Sequence, residues 1–150
     1  MRKSIRTITL LIPCLLLFAG SALAAGPDRD AAMAGLNALR VKHGLAPLSY
    51  SRKLEKAARR HAKDMARGGF FSHQGSDGSR IGDRVRAARY RWCAAAENIA
   101  KGQPSLAKVL TSWAQSPGHR RNMLHSEVTD FALVREEGSI WVMVLARPGC

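Results

Sequence analysis

An α+β domain, with helices packed on an antiparallel sheet, is the fold class this chain predicts. Three observations lead there. Apolar residues recur at helical spacing through most of the chain. The tail switches to two short apolar runs around a glycine-containing turn. Helices also mainly precede strands instead of alternating with them, which separates this pattern from a parallel α/β sheet.

The elements follow in order. Arg2, Lys3 and Arg6 precede an apolar run from Ile8 to Ala19, interrupted by Thr9 and Pro13. Ala22 and Ala24 then supply the small side chains that a signal peptidase requires. The run is shorter than the roughly 20 residues that cross a bilayer. Residues 1–24 therefore read as a leader cleaved after Ala24, and residues 25–150 as one exported domain, secreted or periplasmic, with no transmembrane segment. Cys14 leaves with the leader. A helix is expected from about Asp28 to His43, with Met33, Leu36 and Leu39 in its stripe and Gly44 as its stop. Pro47 and Tyr50 fall in a connection or short strand. Ser51 caps the clearest helix, where Leu54, Ala57, Ala58, His61, Ala62 and Met65 share one face before Gly68 and Gly69 end it. Residues 70–78 are too rich in glycine and polar side chains for regular structure. Ile81, Val85 and Ala88 mark a short helix. Ser105 caps another, with Leu106, Val109, Leu110 and Trp113 as its stripe. Ser116-Pro117-Gly118 interrupts, and a short helix restarts at His119 to Leu124. A hairpin closes the chain: Phe131 to Val134, a turn at Glu136-Glu137-Gly138, then Ile140 to Leu145.

Beyond the leader, 21 basic side chains stand against 11 acidic ones, a formal charge of +10. Such a surface attracts anionic partners, such as cell-wall polymers or lipid headgroups. The cations are spread over several segments without aromatic interleaving, which argues against specific nucleic-acid recognition. Two cysteines remain, Cys93 and Cys150. In an exported protein they read as a disulfide, tying the C-terminus to the loop that leads into Glu97, in a chain expected to be monomeric. They are too few for a thiolate zinc site.

No H-E-x-x-H helix, G-x-S-x-G elbow or phosphate-binding glycine loop is present. Ser72 and Ser76 lie near His73 without a base and orienter, which excludes the usual serine hydrolase arrangement. The chain carries instead an ordered set of short segments: Leu36 to Arg40, Gly44-Leu45, His61 to Met65, Phe70-Phe71-Ser72-His73, Gly78 before Arg84, Tyr90-Arg91-Trp92, Glu97-Asn98-Ile99-Ala100 with Gly102, and Trp113 to Leu124. Taken together they resemble the bacterial secreted branch of the CAP superfamily (cysteine-rich secretory, antigen 5, pathogenesis-related 1; SCP-like).

The resemblance implies a three-layer α-β-α sandwich with a central antiparallel sheet, and a shallow cavity lined by two histidines and two acidic residues. In some members that cavity binds divalent metal, in others sterols or other lipids, and a proteolytic role has been suggested without an agreed reaction. Carried over, His73 and Glu97 match two cavity residues and His119 is the candidate second histidine. The fourth position is occupied by Ser116 in one alignment of the pattern and by Thr129-Asp130 in the other. His73, His119 and Glu97 would suit a divalent cation, zinc first. The same residues could equally form a hydrogen-bonded network that orients loops.

His61 reads as a packed structural histidine, Trp92, Trp113 and Trp141 as core or sheet-facing side chains, and Asn98 and Asn122 as loop-holding donors. Three functions stay open: a binding module for metal, a small hydrophobic ligand or a wall component; a metal-assisted hydrolase with Glu97 as general base; and an interaction protein with a vestigial cavity. Exported protein is expected to begin at Ala25. N-terminal sequencing that finds Met1 retained on protein from the periplasm or medium refutes the cleavage.

Overall fold

The computed structural model describes residues 27–150; the leader, its cleavage site after Ala24, and Cys14 fall outside the described residues. Asp28 starts the first helix, α1 (Arg29–Lys42), its carboxylate accepting from the Asp30 N–H at 2.8 Å. Gly44 follows in the left-handed region at φ +70°. Strand β1 is only Ser49–Tyr50. Helix α2 (Arg52–Gly68) buries all six residues of its anticipated stripe, is capped by the Ser51 hydroxyl, and ends at Gly69 in the left-handed conformation. Helix α3 is Ile81–Ala87. After it come strand β2 (Trp92–Lys101), helix α4 (Leu106–Gln115) and helix α5 (Pro117–Met123). Strands β3 (Asp130–Glu136) and β4 (Ile140–Pro148) form the hairpin around a 3-10 turn at Glu137–Ser139.

Two differences from the sequence reading have physical causes. Helix α5 begins two residues early because Pro117 sits at its first position, where a missing N–H costs nothing and φ is preset for a helix. Strand β2 stands where a loop was expected. Its Ala94-Ala95-Ala96 run has little intrinsic β preference, and the strand is imposed by pairing with β4 from Ala94↔Arg147 to Lys101↔Ile140.

The sheet order is β1-β3-β4-β2, with β3–β4 and β4–β2 antiparallel and the two-residue β1 parallel to β3. Alternation along the strands splits the core into two layers. Ile99, Ala132, Val134, Val142 and Val144 pack on one face with α2 and Val85 of α3. Ala100, Phe131, Leu133, Trp141, Met143 and Leu145 pack on the other against α1, Trp113 of α4 and Met123 of α5. This is the three-layer sandwich, and it leaves β2 on an edge.

Cys93 falls where the β2 register shifts against β4, and it forms a disulfide with Cys150 at a Cα–Cα distance of 5.4 Å. The bridge spans a sequence separation of 57 residues. Closing a loop of that length removes about 4 kcal/mol of unfolded-state entropy at most. Reduction should therefore lower stability toward urea by up to about 4 kcal/mol. The non-reduced mature protein should show no alkylatable thiol, and two reactive thiols without reductant would exclude the bridge.

Candidate functional site

Consecutive residues on an extended strand point to opposite faces, and β2 uses that alternation at Glu97 and Asn98. Glu97 enters the α2/α3 layer and Asn98 the α5 layer. Each holds one wall of a cleft that opens over the strand's edge.

On the first side, the Glu97 carboxylate is 3% exposed and Arg84, from α3, is 2% exposed. Arg84 Nη2 donates to Glu97 Oε2 at 2.8 Å and to the His73 carbonyl at 3.1 Å, and Nη1 donates to the Ser79 carbonyl at 2.7 Å. His73 Nδ1–H donates to Glu97 Oε1 at 2.8 Å. The 70–80 segment is thus clamped to strand and helix by one buried ion pair. Behind it, fully buried His61 donates from Nε2 to the Ser72 carbonyl at 2.8 Å and lies 3.8 Å from Glu97. Burial, reinforced by the Arg84 charge, pushes the His61 imidazole below its ordinary value against the opposing pull of Glu97, which keeps the ring neutral.

On the other side, Asn98 Nδ2 donates to the His119 carbonyl at 3.0 Å. Asn122 Nδ2 donates to Asn98 Oδ1 at 2.8 Å and to the Glu97 carbonyl at 3.2 Å. Buried Arg40 of α1 satisfies carbonyls at the far end of α5, those of Met123 and His125. His119 Nδ1 shares a hydrogen bond of 2.9 Å with the Ser116 hydroxyl, and its ring tilts against Trp113. Burial and then nearby His73 lower the His119 pKa, so this imidazole is also neutral near pH 7.

The cleft between these walls has a volume of about 800 Å³ and brings His73, Glu97 and His119 together. Phe71, Ile81, Ala95, Ala96 and Ile99 supply apolar lining, and Gln74, Arg80 and Asn122 polar lining. Neither alternative for the fourth position adds a carboxylate. Ser116 supports His119, while Asp130 accepts from the Tyr90 hydroxyl at 2.6 Å and from Thr129 and does not line the cleft. Glu97 lines the cleft, but both of its oxygens are engaged, by Arg84 and His73, so the carboxylate orients His73 instead of standing free as a ligand or base. Two imidazole nitrogens are one protein ligand short of the set that holds zinc with an open position. No group of three or more His, Cys, Asp or Glu suited to a metal occurs among the described residues. A resident ion does not fit this donor set.

Sequence reasoning assigned no role to Arg84. The available signal was its place on the buried side of α3, beside Val85: a cation there needs a carboxylate partner. His61, read as structural, does pack, but it does so directly behind the site.

The family model for the cysteine-rich secretory protein family, CAP, matches residues 33–144, and the chain belongs to that family. The uncharacterised protein YkwD of Bacillus subtilis (strain 168) is 38% identical over 106 residues, which cover 70% of this chain and 41% of that protein. The uncharacterised membrane protein YlbC of the same organism is 33% identical over 93 residues, covering 62% of this chain and 27% of YlbC. The chain therefore spans less than half the length of either relative. Among solved structures, an extracellular protein containing a SCP domain from Bacillus anthracis str. Ames superposes with a TM-score of 0.73 at 26% identity, over 79% of this chain and 41% of that one. An outer surface protein from Borrelia burgdorferi gives a TM-score of 0.72 over 80% of this chain and 92% of that one. At 19% identity it shares the fold alone.

Removing one partner of a buried ion pair strands the other, at about 3–5 kcal/mol. Glu97→Ala should lose that much stability in urea denaturation and release the 70–80 segment to proteolysis. A Glu97→Leu/Arg84→Met double variant should recover most of the loss. A Glu97→Ala variant as stable as wild type would exclude the clamp.

Proposed function

We propose that this CAP-family chain is an exported binding module that captures a small amphiphilic ligand in the cleft over β2. Residues 1–24 serve as the export signal and residues 25–150 as the working domain. The extracellular description of the Bacillus anthracis neighbour supports that location. Among the described residues no helix is long and apolar enough to cross a membrane.

The observation that carries the reading is the pair of imidazoles fixed through Nδ1 beside an apolar lining. With Nδ1–H committed to Glu97, the unprotonated form of the His73 ring offers Nε2 as an acceptor. With the Ser116 hydroxyl donating to Nδ1, neutral His119 presents Nε2–H as a donor. A group that both donates and accepts, such as a hydroxyl or a carboxylic acid, complements the two. The apolar part of such a ligand would lie against Ile81, Ala95 and Ile99 with Phe71, at 46% exposure, over it. A cleft of about 800 Å³ lies within the range of small-molecule sites.

Fluorescent parinaric acid and the corresponding alcohol are suitable probes for the mature protein. Saturable uptake is expected, abolished by Ile81→Asp and weakened about tenfold by His73→Ala or His119→Ala, the scale of a hydrogen bond to a charged or strongly polar group. Uptake unaffected by these changes, or none at all, would overturn the amphiphile reading. Zinc binding that is tight, stoichiometric and lost with either histidine would replace it with a metal site.

A further inference from the structure

Helix α3 ends in a Schellman motif: Arg89 N–H bonds the Arg86 carbonyl at 2.9 Å and Tyr90 N–H bonds the Val85 carbonyl at 3.2 Å. Its left-handed position is Arg89, at φ +61°. Glycine is the residue usually found there, because it adopts that conformation without steric penalty. This chain has glycine just beyond α1 and α2, at Gly44 and Gly69, both at positive φ. A strained arginine in place of glycine points to use of its side chain.

The surroundings supply the use. Arg89 lines a second concavity, of about 900 Å³, with Lys53, Arg86, Arg91 and Trp92, and the Pro148–Cys150 segment forms the opposite rim. Lys53, Arg89 and Arg91 have no ion-pair partner among the described residues, and Arg86 meets Asp83 only at 3.5 Å. By contrast, Arg29, Arg59, Arg60 and Arg84 lie 2.7–3.0 Å from carboxylates. Four cations, three of them without a carboxylate partner among the described residues, thus line one concavity together with the flat indole of Trp92.

We infer that this concavity docks a linear phosphate-bearing polymer. Guanidinium forks match phosphate oxygens two at a time, and a row of cations in a concave surface suits a chain of phosphates. A bilayer fits less well. The exposed large apolar side chains among the described residues are Val41 and Phe71, and neither lies in this patch to enter a membrane. The site is separate from the histidine cleft and does not depend on what that cleft binds.

Long-chain sodium polyphosphate is the probe, titrated into the mature protein across a range of salt. The Arg89→Gly/Arg91→Gln double variant should bind at least tenfold more weakly, with a salt slope lower by about two, one per phosphate contact removed. Arg89→Gly alone should unfold at the same or a higher temperature, because glycine relieves the backbone while affinity falls. That combination separates a binding role from a structural one. Lys42→Gln/Lys108→Gln removes equal charge elsewhere and should leave affinity within about twofold, since distant exposed charges are screened. Equal weakening by that control pair would reduce the attraction to net charge and overturn the site. So would absence of saturable binding at physiological salt, equal affinity for polyglutamate, or patch-dependent binding to phosphatidylglycerol vesicles without binding to polyphosphate.

Discussion

The Glu97 carboxylate, buried at the edge of the sheet, is the constraint on which the cleft depends. A buried carboxylate is tolerable only when its charge is met and its oxygens are hydrogen-bonded. Arg84 meets the charge, and in doing so fixes α3 against β2. His73 takes the other oxygen, so the whole 70–80 segment is hung from one side chain. The next residue, Asn98, points the opposite way and holds α5 through the His119 carbonyl and Asn122. Spacing between the two walls is therefore set by the pleat of a single strand, not by long-range packing of the helices. That is a short route to positional accuracy. The two imidazoles belong to different layers of the sandwich, yet they are referenced to adjacent residues.

This arrangement also decides what Glu97 can do. Considered by residue type, a glutamate among histidines suits a metal ligand or a general base. Surrounded by Arg84 and His73 at 2.8 Å each, it sits where the orienting carboxylate of a histidine pair belongs, and the open nitrogen is on the imidazole. The same logic applies to Ser116. It places a hydroxyl 2.9 Å from His119 Nδ1, and a hydroxyl can give its proton to the ring. A carboxylate there would accept from Nδ1 instead and leave both histidines as acceptors. With Ser116 as the donor, the two imidazoles can present unlike polarity.

Much of the fold was legible because its signals are local. Ser51 and Ser105 cap helices at the expected places, and the α2 stripe from Leu54 to Met65 is buried in full. The cysteine pairing followed from there being two thiols in a chain read as exported. The site was legible only through motif resemblance, which named His73, Glu97 and His119 without their partners. Strand β2 was missed because alanines carry no β signal, and the residues that pair with those alanines in β4 lie about 50 positions away. Arg84 was missed for a related reason. One of two arginines in a seven-residue helix looks like solvated charge until the buried carboxylate opposite it is known.

The edge position of β2 links these features. An edge strand presents unpaired main-chain groups that a protein normally shields. Here the shielding is done by side chains from the α4–α5 layer: Asn122 donates to the Glu97 carbonyl and Trp113 Nε1 to the Ile99 carbonyl. Toward its start, the strand is pinned by the disulfide and by the Trp92 indole, which donates to the Gly82 carbonyl. The ring packs so closely that a Cβ on Gly82 would overlap it. Between these two protected stretches lie Ala95 and Ala96, half-buried and small. Larger β-branched residues would strengthen the strand, and they would also fill the cleft. The alanines that concealed β2 in the sequence are therefore the residues that leave the cleft open, and the pairing with β4 supplies the stability that their side chains do not.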